Sequence, residues 1–194
     1  DELELRSMDA LGELVRYGLL ETGDKGWKIN HALIHTYARN HLPLSTEALE
    51  RVAAYYIDWC REQSDACVPL YAPIDDERAH CLRLIKACLD GELWQEVKSL
   101  VGAIWEYLDR QGHWADQLTA VEIRLTAARK AEDRLDEAWC LNRLGLTCWR
   151  RGELEQALHW FERCIPIERE LKNRQGECAT LSNMATIYNV LGKY

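Results

Sequence analysis

Two histidines, His31 and His35, stand four residues apart, so a helix over this segment would place both on one face. Imidazole nitrogens at this spacing suit a transition metal. Two ligands are too few for such a site, and Ala32 stands where the His-Glu-x-x-His motif of metalloproteases has its glutamate. We therefore expect solvated or capping histidines and no metal.

The eight cysteines are the second group of reactive side chains. Cys60 and Cys67 are seven residues apart, as are Cys81 and Cys88, which corresponds to about 10.5 Å along a helix. Because a disulfide needs Cα atoms within about 7 Å, neither pair can bond inside one continuous helix. The chain also has no Cys-x-x-Cys motif. We expect reduced thiols that pack as small apolar side chains.

The chain shows no other arrangement that indicates catalysis. It has no Gly-x-Ser-x-Gly nucleophile elbow. The carboxylate run Asp75-Asp76-Glu77 is typical of a solvated helix start, where negative charge interacts favourably with the helix dipole. We therefore expect a protein that is not an enzyme.

Charge and hydropathy narrow the range of partners. The net charge is −8 and the basic residues are interleaved with acidic ones, which argues against a nucleic-acid partner. No run approaches the about 18 apolar residues that a membrane span needs, so no membrane partner is expected. The acidic start Asp1-Glu2-Leu3-Glu4 lacks the profile of a signal peptide, and a cytoplasmic location is expected.

The elements that carry these residues repeat along the chain. Gly112, Gly152 and Gly192 are forty residues apart, and the same offset relates apolar positions such as Ile104 and Leu144. In the middle unit, apolar residues follow helical spacing up to Gly152, which interrupts them, and a second apolar stripe follows. Each unit is therefore predicted to be a pair of antiparallel helices.

The middle unit resembles the tetratricopeptide repeat at its Leu144-Gly145 pair, at Gly152, and at Ala157 and Phe161. The resemblance implies an all-α fold, a tetratricopeptide-type α-solenoid of helix-turn-helix repeats of about 40 residues. Since this repeat usually has about 34 residues, we expect a longer connector after the second helix, around residues 170–174. Pro166 is expected to kink that helix.

The resemblance also indicates a binding surface, because the first helices of such repeats line a concave face that holds peptides. The positions assigned to this face are Trp139, Asn142, Leu146, Trp149 and Arg150 in the middle unit, with Glu106, Asp109, Arg110, Ser182, Thr186 and Asn189 from its neighbours. Tryptophan and arginine are frequent in binding hot spots. The expected ligand is a protein, a peptide or a small-molecule effector. The alternative is that neighbouring helices cover both tryptophans.

The first forty residues differ in kind. Helical patterns over residues 8–17 and 31–41 flank a polar, glycine-bearing turn, Thr22–Gly26, which predicts a short β-hairpin. Helix, hairpin and helix in this order predict the back half of a winged-helix domain.

A second resemblance concerns the segment that follows this hairpin. His31, Leu33, Ile34, Tyr37 and Ala38 are similar to the end of the winged-helix module in STAND-class signal-transduction ATPases, which include the NB-ARC regulators. The resemblance implies that His31 senses the phosphate of bound nucleotide in an intact parent protein. No Gly-x-x-x-x-Gly-Lys-[Ser/Thr] motif occurs here, so we expect no cofactor for this chain and ATP or ADP in the parent.

Together these patterns predict three parts: a partial winged-helix module at 1–42, a helical linker at 43–75, and tetratricopeptide-like repeats at 76–194. The last repeat stops before its second helix. We therefore expect an excised fragment whose uncovered C-terminal repeat packs on another copy or frays.

The expected function is that of a sensor region in a multidomain signal-transduction ATPase. The repeats would bind a protein or small ligand and relay that event to a nucleotide-binding domain that this chain lacks. The alternative is a free-standing tetratricopeptide adaptor that scaffolds a protein complex.

Overall fold

The computed structural model describes residues 20–23, 26–29, 45–65 and 71–192, and the chain divides into two compact units, Asp1–Ser45 and Thr46–Tyr194. In the first unit, β1 (Leu20–Gly23) pairs antiparallel with β2 (Gly26–Ile29), in the segment where the sequence predicts a hairpin. The predicted helices at 8–17 and 31–41, which contain His31 and His35, lie outside the described residues.

The described residues of the second unit form helices joined by short connectors, which confirms the all-α prediction. Its helices are α1 (Thr46–Asp65), α2 (Tyr71–Asp90), α3 (Trp94–Arg110), α4 (Trp114–Lys130), α5 (Arg134–Arg150), α6 (Leu154–Glu170) and α7 (Arg174–Val190). Helix α6 runs through Pro166 to its end at Glu170.

Pro69 and Pro73 predict a connector over residues 64–75, and this prediction is wrong at both ends, since α1 continues through Asp65 and α2 begins at Tyr71. Pro73 lies in the first turn of α2, where a missing N–H removes no helical hydrogen bond. The predicted boundary between linker and repeats, after residue 75, therefore falls inside a helix.

The five helices α3 to α7 each have 17 residues and begin twenty residues apart. The connectors that join them have three residues. In each connector the middle residue has a left-handed backbone, for example φ = +73° at Gly112 and +55° at Glu132. The following N–H closes the helix end, as His113 does by donating to the Leu108 carbonyl at 2.9 Å.

The equal connectors correct the expectation of a longer link after the second helix of each unit. Residues 151–153 join the two helices of the middle unit, and residues 171–173 join that unit to the next. The period of forty therefore arises from helices of 17 residues and not from extra loop. In effect the array repeats every twenty residues.

Close packing within the middle unit depends on a glycine. Phe161 of α6 is fully buried, and its ring lies against Gly145 of α5. A Cβ atom built on Gly145 would lie 2.5 Å from Phe161 Cε1. Ala157 is also fully buried beside this contact. The small and large residues predicted to pair here do so because the two helices approach too closely for two large side chains.

Gly145→Ala is expected to lower the free energy of unfolding by about 1–2 kcal/mol, because displacing the Phe161 ring outweighs the better helix propensity of alanine. Gly102→Ala is the matched control. It is an exposed glycine inside α3, and its Cβ would meet only Arg124 Nη1 at 3.7 Å. We expect this variant to gain about 0.5–1 kcal/mol in urea denaturation followed by circular dichroism. Equal effects of the two substitutions would contradict a fixed Phe161 ring.

Candidate functional site

A buried ion pair joins α4 to α5. Arg124 of α4 and Asp136 of α5 are 6% and 4% exposed. The Arg124 Nε donates to both carboxylate oxygens of Asp136 at 3.1 Å, and its Nη2 donates to Oδ1. This bidentate geometry makes arginine–carboxylate pairs strong. Burial of the two charges is tolerated because each is compensated by the other.

Helix α3 adds a second cation to this pair. Lys98 Nζ donates to Asp133 Oδ2 at 2.8 Å and lies 3.7 Å from Asp136 Oδ1. This hydrogen bond raises the pKa of Lys98 and lowers that of Asp133. Asp133 also caps α5 by accepting from the Asp136 N–H at 2.9 Å. Two cations and two carboxylates are thus mutually compensated where α3, α4 and α5 meet.

The ring of Trp139 lies among cations. The guanidinium of Arg124 is 3.7 Å from its centroid, and that of Arg143 is 5.2 Å from it. Arg143 is also 5.2 Å from the ring of Trp105, whose edge meets Trp139 at 5.6 Å between centroids. Cation–π attraction at these distances stabilises both stacks. Trp139 is therefore partly buried and fixed in orientation.

Arg143 differs from Arg124 in having no carboxylate within 4 Å in the described part of the chain. Burial, and then repulsion from Arg124, lower the pKa of its guanidinium. Its guanidinium lies 5.2 Å from two aromatic rings and carries five N–H donors that can bind an acceptor.

A cavity of about 470 Å³ lies beside Arg143 and Trp139. Helix α5, the last turn of α6 and the first half of α7 form its wall. Its lining residues are Leu135, Trp139, Asn142, Arg143, Glu168, Asn173, Gln175, Gly176 and Ala179. The volume is in the range of small-molecule sites, and the lining contains both polar and apolar side chains.

Glu168 is a buried carboxylate on the cavity wall. It is 5% exposed, and its Oε2 has no hydrogen-bond partner among the described residues. The Cys164 thiol lies 3.9 Å from Oε1. The carboxylate packs directly against Gly176, where any side chain would overlap it. Burial is the main cause that raises the pKa of Glu168, and hydrogen bonds from the Asn173 and Cys164 side chains partly offset it. A buried acceptor atom without a hydrogen-bond donor lowers the stability of the fold, and such atoms are rare in native proteins.

The structure brings together two of the residues that the sequence assigns to the concave face. Trp139 and Asn142 both line the cavity, and Asn142 Nδ2 donates to Thr180 Oγ1 of α7 at 2.9 Å. Leu146 and Trp149 are partly buried against a core cluster that contains Phe161. For Trp149 this agrees with the alternative stated above, in which neighbouring helices cover the tryptophan.

The remaining predicted positions lie elsewhere on the array, and most of them form ion pairs or hydrogen bonds with one another. Arg150 forms an ion pair with Asp109, and Glu106 pairs with Arg110 at 2.6 Å. On α7, the Thr186 hydroxyl donates to the Ser182 carbonyl at 2.9 Å. The last of the predicted residues, Asn189, is exposed near the end of that helix. None of these lines the cavity.

Sequence reasoning missed Arg143, Glu168, Gly176 and Ala179. A signal for three of them was present, because the forty-residue offset places Glu168 against Ala128, Gly176 against Asp136 and Ala179 against Trp139. The repeat is therefore broken at these positions. Looking for breaks in the repeat, as well as for its matches, would have found them.

A second polar cluster links the ends of α2, α3 and α4. Tyr107 Oη donates to Asp75 Oδ1 at 2.6 Å, and His113 Nε2 lies 3.2 Å from the same oxygen. Arg78 bridges Asp75 and Asp116 at 3.5 and 3.3 Å. The hydrogen bond from Tyr107 is the main cause that lowers the pKa of Asp75. These groups satisfy one another, so the cluster links three helices and leaves no free acid–base group.

The seven cysteines of the described residues are all free, and only Cys178 among them is exposed. Burial raises the pKa of Cys88 and of Cys148 to about 11. Within the described ranges, no three His, Cys, Asp or Glu side chains are grouped to hold a metal ion. The same ranges contain no helix with the length and apolar character of a membrane span.

Comparison with known proteins adds no relative. No protein-family model matches the chain, and a search of curated proteins finds no match.

Arg124→Met is expected to lower the free energy of unfolding by about 3 kcal/mol, because it leaves Asp136 buried with only Lys98 nearby. The double variant Arg124→Met/Asp136→Leu should recover most of this loss, since no charge then remains unpaired. Chemical denaturation of the three proteins measures both. A double variant as unstable as the single one would show that packing, and not charge compensation, is what Arg124 provides.

Glu168→Gln is expected to raise the free energy of unfolding by about 1 kcal/mol at neutral pH. The pKa of Glu168 is raised on folding, so ionisation opposes folding. This penalty is complete above the folded pKa and disappears below the unfolded value of about 4.3. Denaturation curves of both proteins should therefore differ at pH 7 and converge near pH 4. Glu162→Gln, an exposed position on the same helix, should show no such difference.

Proposed function

We propose that the helical unit is a tetratricopeptide-type α-solenoid that binds a peptide segment at the cavity between α5, α6 and α7. The observation that carries this proposal is that two ionisable groups with no ion-pair partner among the described residues, Arg143 and Glu168, line the wall of one cavity. Elsewhere in the same array, buried charges are paired. Equal helices in a forty-residue register and the close Gly145–Phe161 contact support the repeat type.

A peptide fits this wall better than a purely apolar ligand. Arg143 offers donors that backbone carbonyls accept, while Asn142 and Gln175 add amide groups. Trp139 and Leu135 supply apolar surface beside them. Binding, and not bond-making, is the activity that these groups support, because none of them is positioned as a nucleophile with a base.

We further propose that this binding is sensory. The chain would be the sensor arm of a STAND-class ATPase, with a partial winged helix at 1–42, His31 as nucleotide sensor in the parent, ATP or ADP as its cofactor, and a cytoplasmic location. The β1–β2 pair in the unit that precedes the helices supports this order of parts.

One observation favours the second candidate, a free-standing adaptor. The cavity is built from α5, α6 and α7 alone and needs no nucleotide domain to complete it. The exposed Leu181 and Val190 on α7 offer apolar surface for self-association of such an adaptor.

Selection from a displayed library of random peptides tests the binding proposal. We expect peptides that bind saturably, with an affinity that Arg143→Ala weakens about tenfold or more, because each lost charge-assisted hydrogen bond has this effect. Arg83→Ala removes the same charge from an exposed position on α2 and should change nothing. Trp149→Ala should lower stability and leave affinity intact, since this ring packs on the core. Failure to select any saturable binder would overturn the proposal.

The parent reading frame distinguishes the sensor from the adaptor. A Gly-x-x-x-x-Gly-Lys-[Ser/Thr] motif encoded upstream of Asp1 would support the nucleotide switch and give His31 a role. An unrelated domain there, or a start codon close to Asp1, would leave the adaptor.

A further inference from the structure

The cavity has a counterpart one repeat earlier, and that counterpart is nearly closed. Shifting the nine lining residues back by forty leads to four that also line a space of only about 10 Å³: Gln95, Ala128, Asp133 and Asp136. The array therefore has a partial equivalent of the cavity one repeat earlier, and there the space is nearly filled.

The side chains that close the earlier site are identifiable. Asp136 of its lining pairs with Arg124, which stacks on Trp139, and Asp133 pairs with Lys98. At the open site the four equivalents are Cys164, Gly176, Ala179 and Ala138, with Asn173 in place of Asp133. At these equivalent positions both cations and the large aromatic ring are absent. The open site therefore lacks the large side chains of the earlier one.

A carboxylate nevertheless remains at the open site. It is supplied by Glu168 from α6, at the position that Ala128 holds on α4, and it lies over Gly176, the equivalent of Asp136. The earlier carboxylate has an internal guanidinium as its partner, whereas the Oε2 of Glu168 has none among the described residues.

We infer that the cavity accepts a basic side chain, lysine or arginine, of the bound peptide, whose ammonium or guanidinium donates to Glu168 Oε2 in the place that Arg124 takes one repeat earlier. This inference rests on the proposed function and names its specificity. A metal ion is a poorer occupant, because a single carboxylate is too small a ligand set.

Arg143 restricts which cations enter. It lines the same cavity, so a bare cation is repelled by it. In a peptide, the carbonyls beside a lysine or arginine accept hydrogen bonds from Arg143 while the basic group reaches Glu168. Arg143 and Glu168 together thus select a basic side chain carried on a peptide backbone.

Two small probes test the inference directly: Nα-acetyl-lysine N-methylamide and its norleucine analogue, which has the same backbone and an uncharged side chain. Nuclear magnetic resonance follows the Trp139 indole N–H and the Gly176 and Ala179 amides during titration. We expect the lysine probe to bind about tenfold or more tightly than the norleucine probe, as a charge-assisted hydrogen bond implies. Glu168→Gln should abolish this preference, and Glu162→Gln should preserve it.

Ala179→Trp is the second variant. It places an indole ring at Ala179, the exposed position that is equivalent to Trp139 of the earlier repeat. We expect it to block the lysine probe while the unfolding temperature stays unchanged or rises. Unchanged binding of the probe to this variant would overturn the inference.

Other outcomes separate the inference from the proposed function. Equal affinities for the two probes, or library peptides that bind at the cavity without a basic residue, would overturn the basic-side-chain specificity and leave peptide binding standing. Failure of the probes together with failure of the library would overturn both. A loss of stability in Glu168→Gln would show that Glu168 has an internal partner, which also contradicts the inference.

Discussion

A left-handed backbone residue at every twentieth position sets the geometry of the helical array. From Glu92 to Lys172, each of these residues ends one helix and redirects the chain into the next within three residues, and Gly192 ends the last described helix. The hydrogen bonds that close the helix ends are the same at each connector, so successive helices meet in the same register. The pairing of Gly145 with Phe161 and of Arg124 with Asp136 depends on this register. A shift of one residue would rotate either side chain about 100° away from its partner.

Part of this architecture could be predicted from the sequence, for a specific reason. Three of the left-handed positions are Gly112, Gly152 and Gly192, which are visible as glycines, and they reveal the period of forty. The intervening positions are Glu132 and Lys172, whose side chains give no sign of a left-handed backbone, which normally costs about 1–2 kcal/mol for such residues. The half-period was therefore hidden, and the extra residues were assigned to a connector instead of to the helices.

The candidate site was predictable only where it follows the repeat. Trp139 and Asn142 lie on the predicted inward face of a first helix, and the structure places both at the cavity. Glu168 belongs to a second helix and reaches the cavity from its last turn, so a rule about first helices does not find it. Which of two tryptophans is covered also depends on the neighbouring helix. Phe161 and its cluster cover Trp149, whereas Arg124 and Arg143 stack on Trp139.

The short connectors have a mechanical consequence. Because the connectors have only three hydrogen-bonded residues, a helix of this array cannot shift along its axis unless its neighbours also move. Any movement of α7 against α5 when a ligand binds in the cavity between them is therefore a tilt, with the connector as a pivot. Helices of 17 residues act as levers of about 25 Å, because each residue adds about 1.5 Å of length. A change of a few degrees at one end therefore becomes a displacement of an ångström or more at the other.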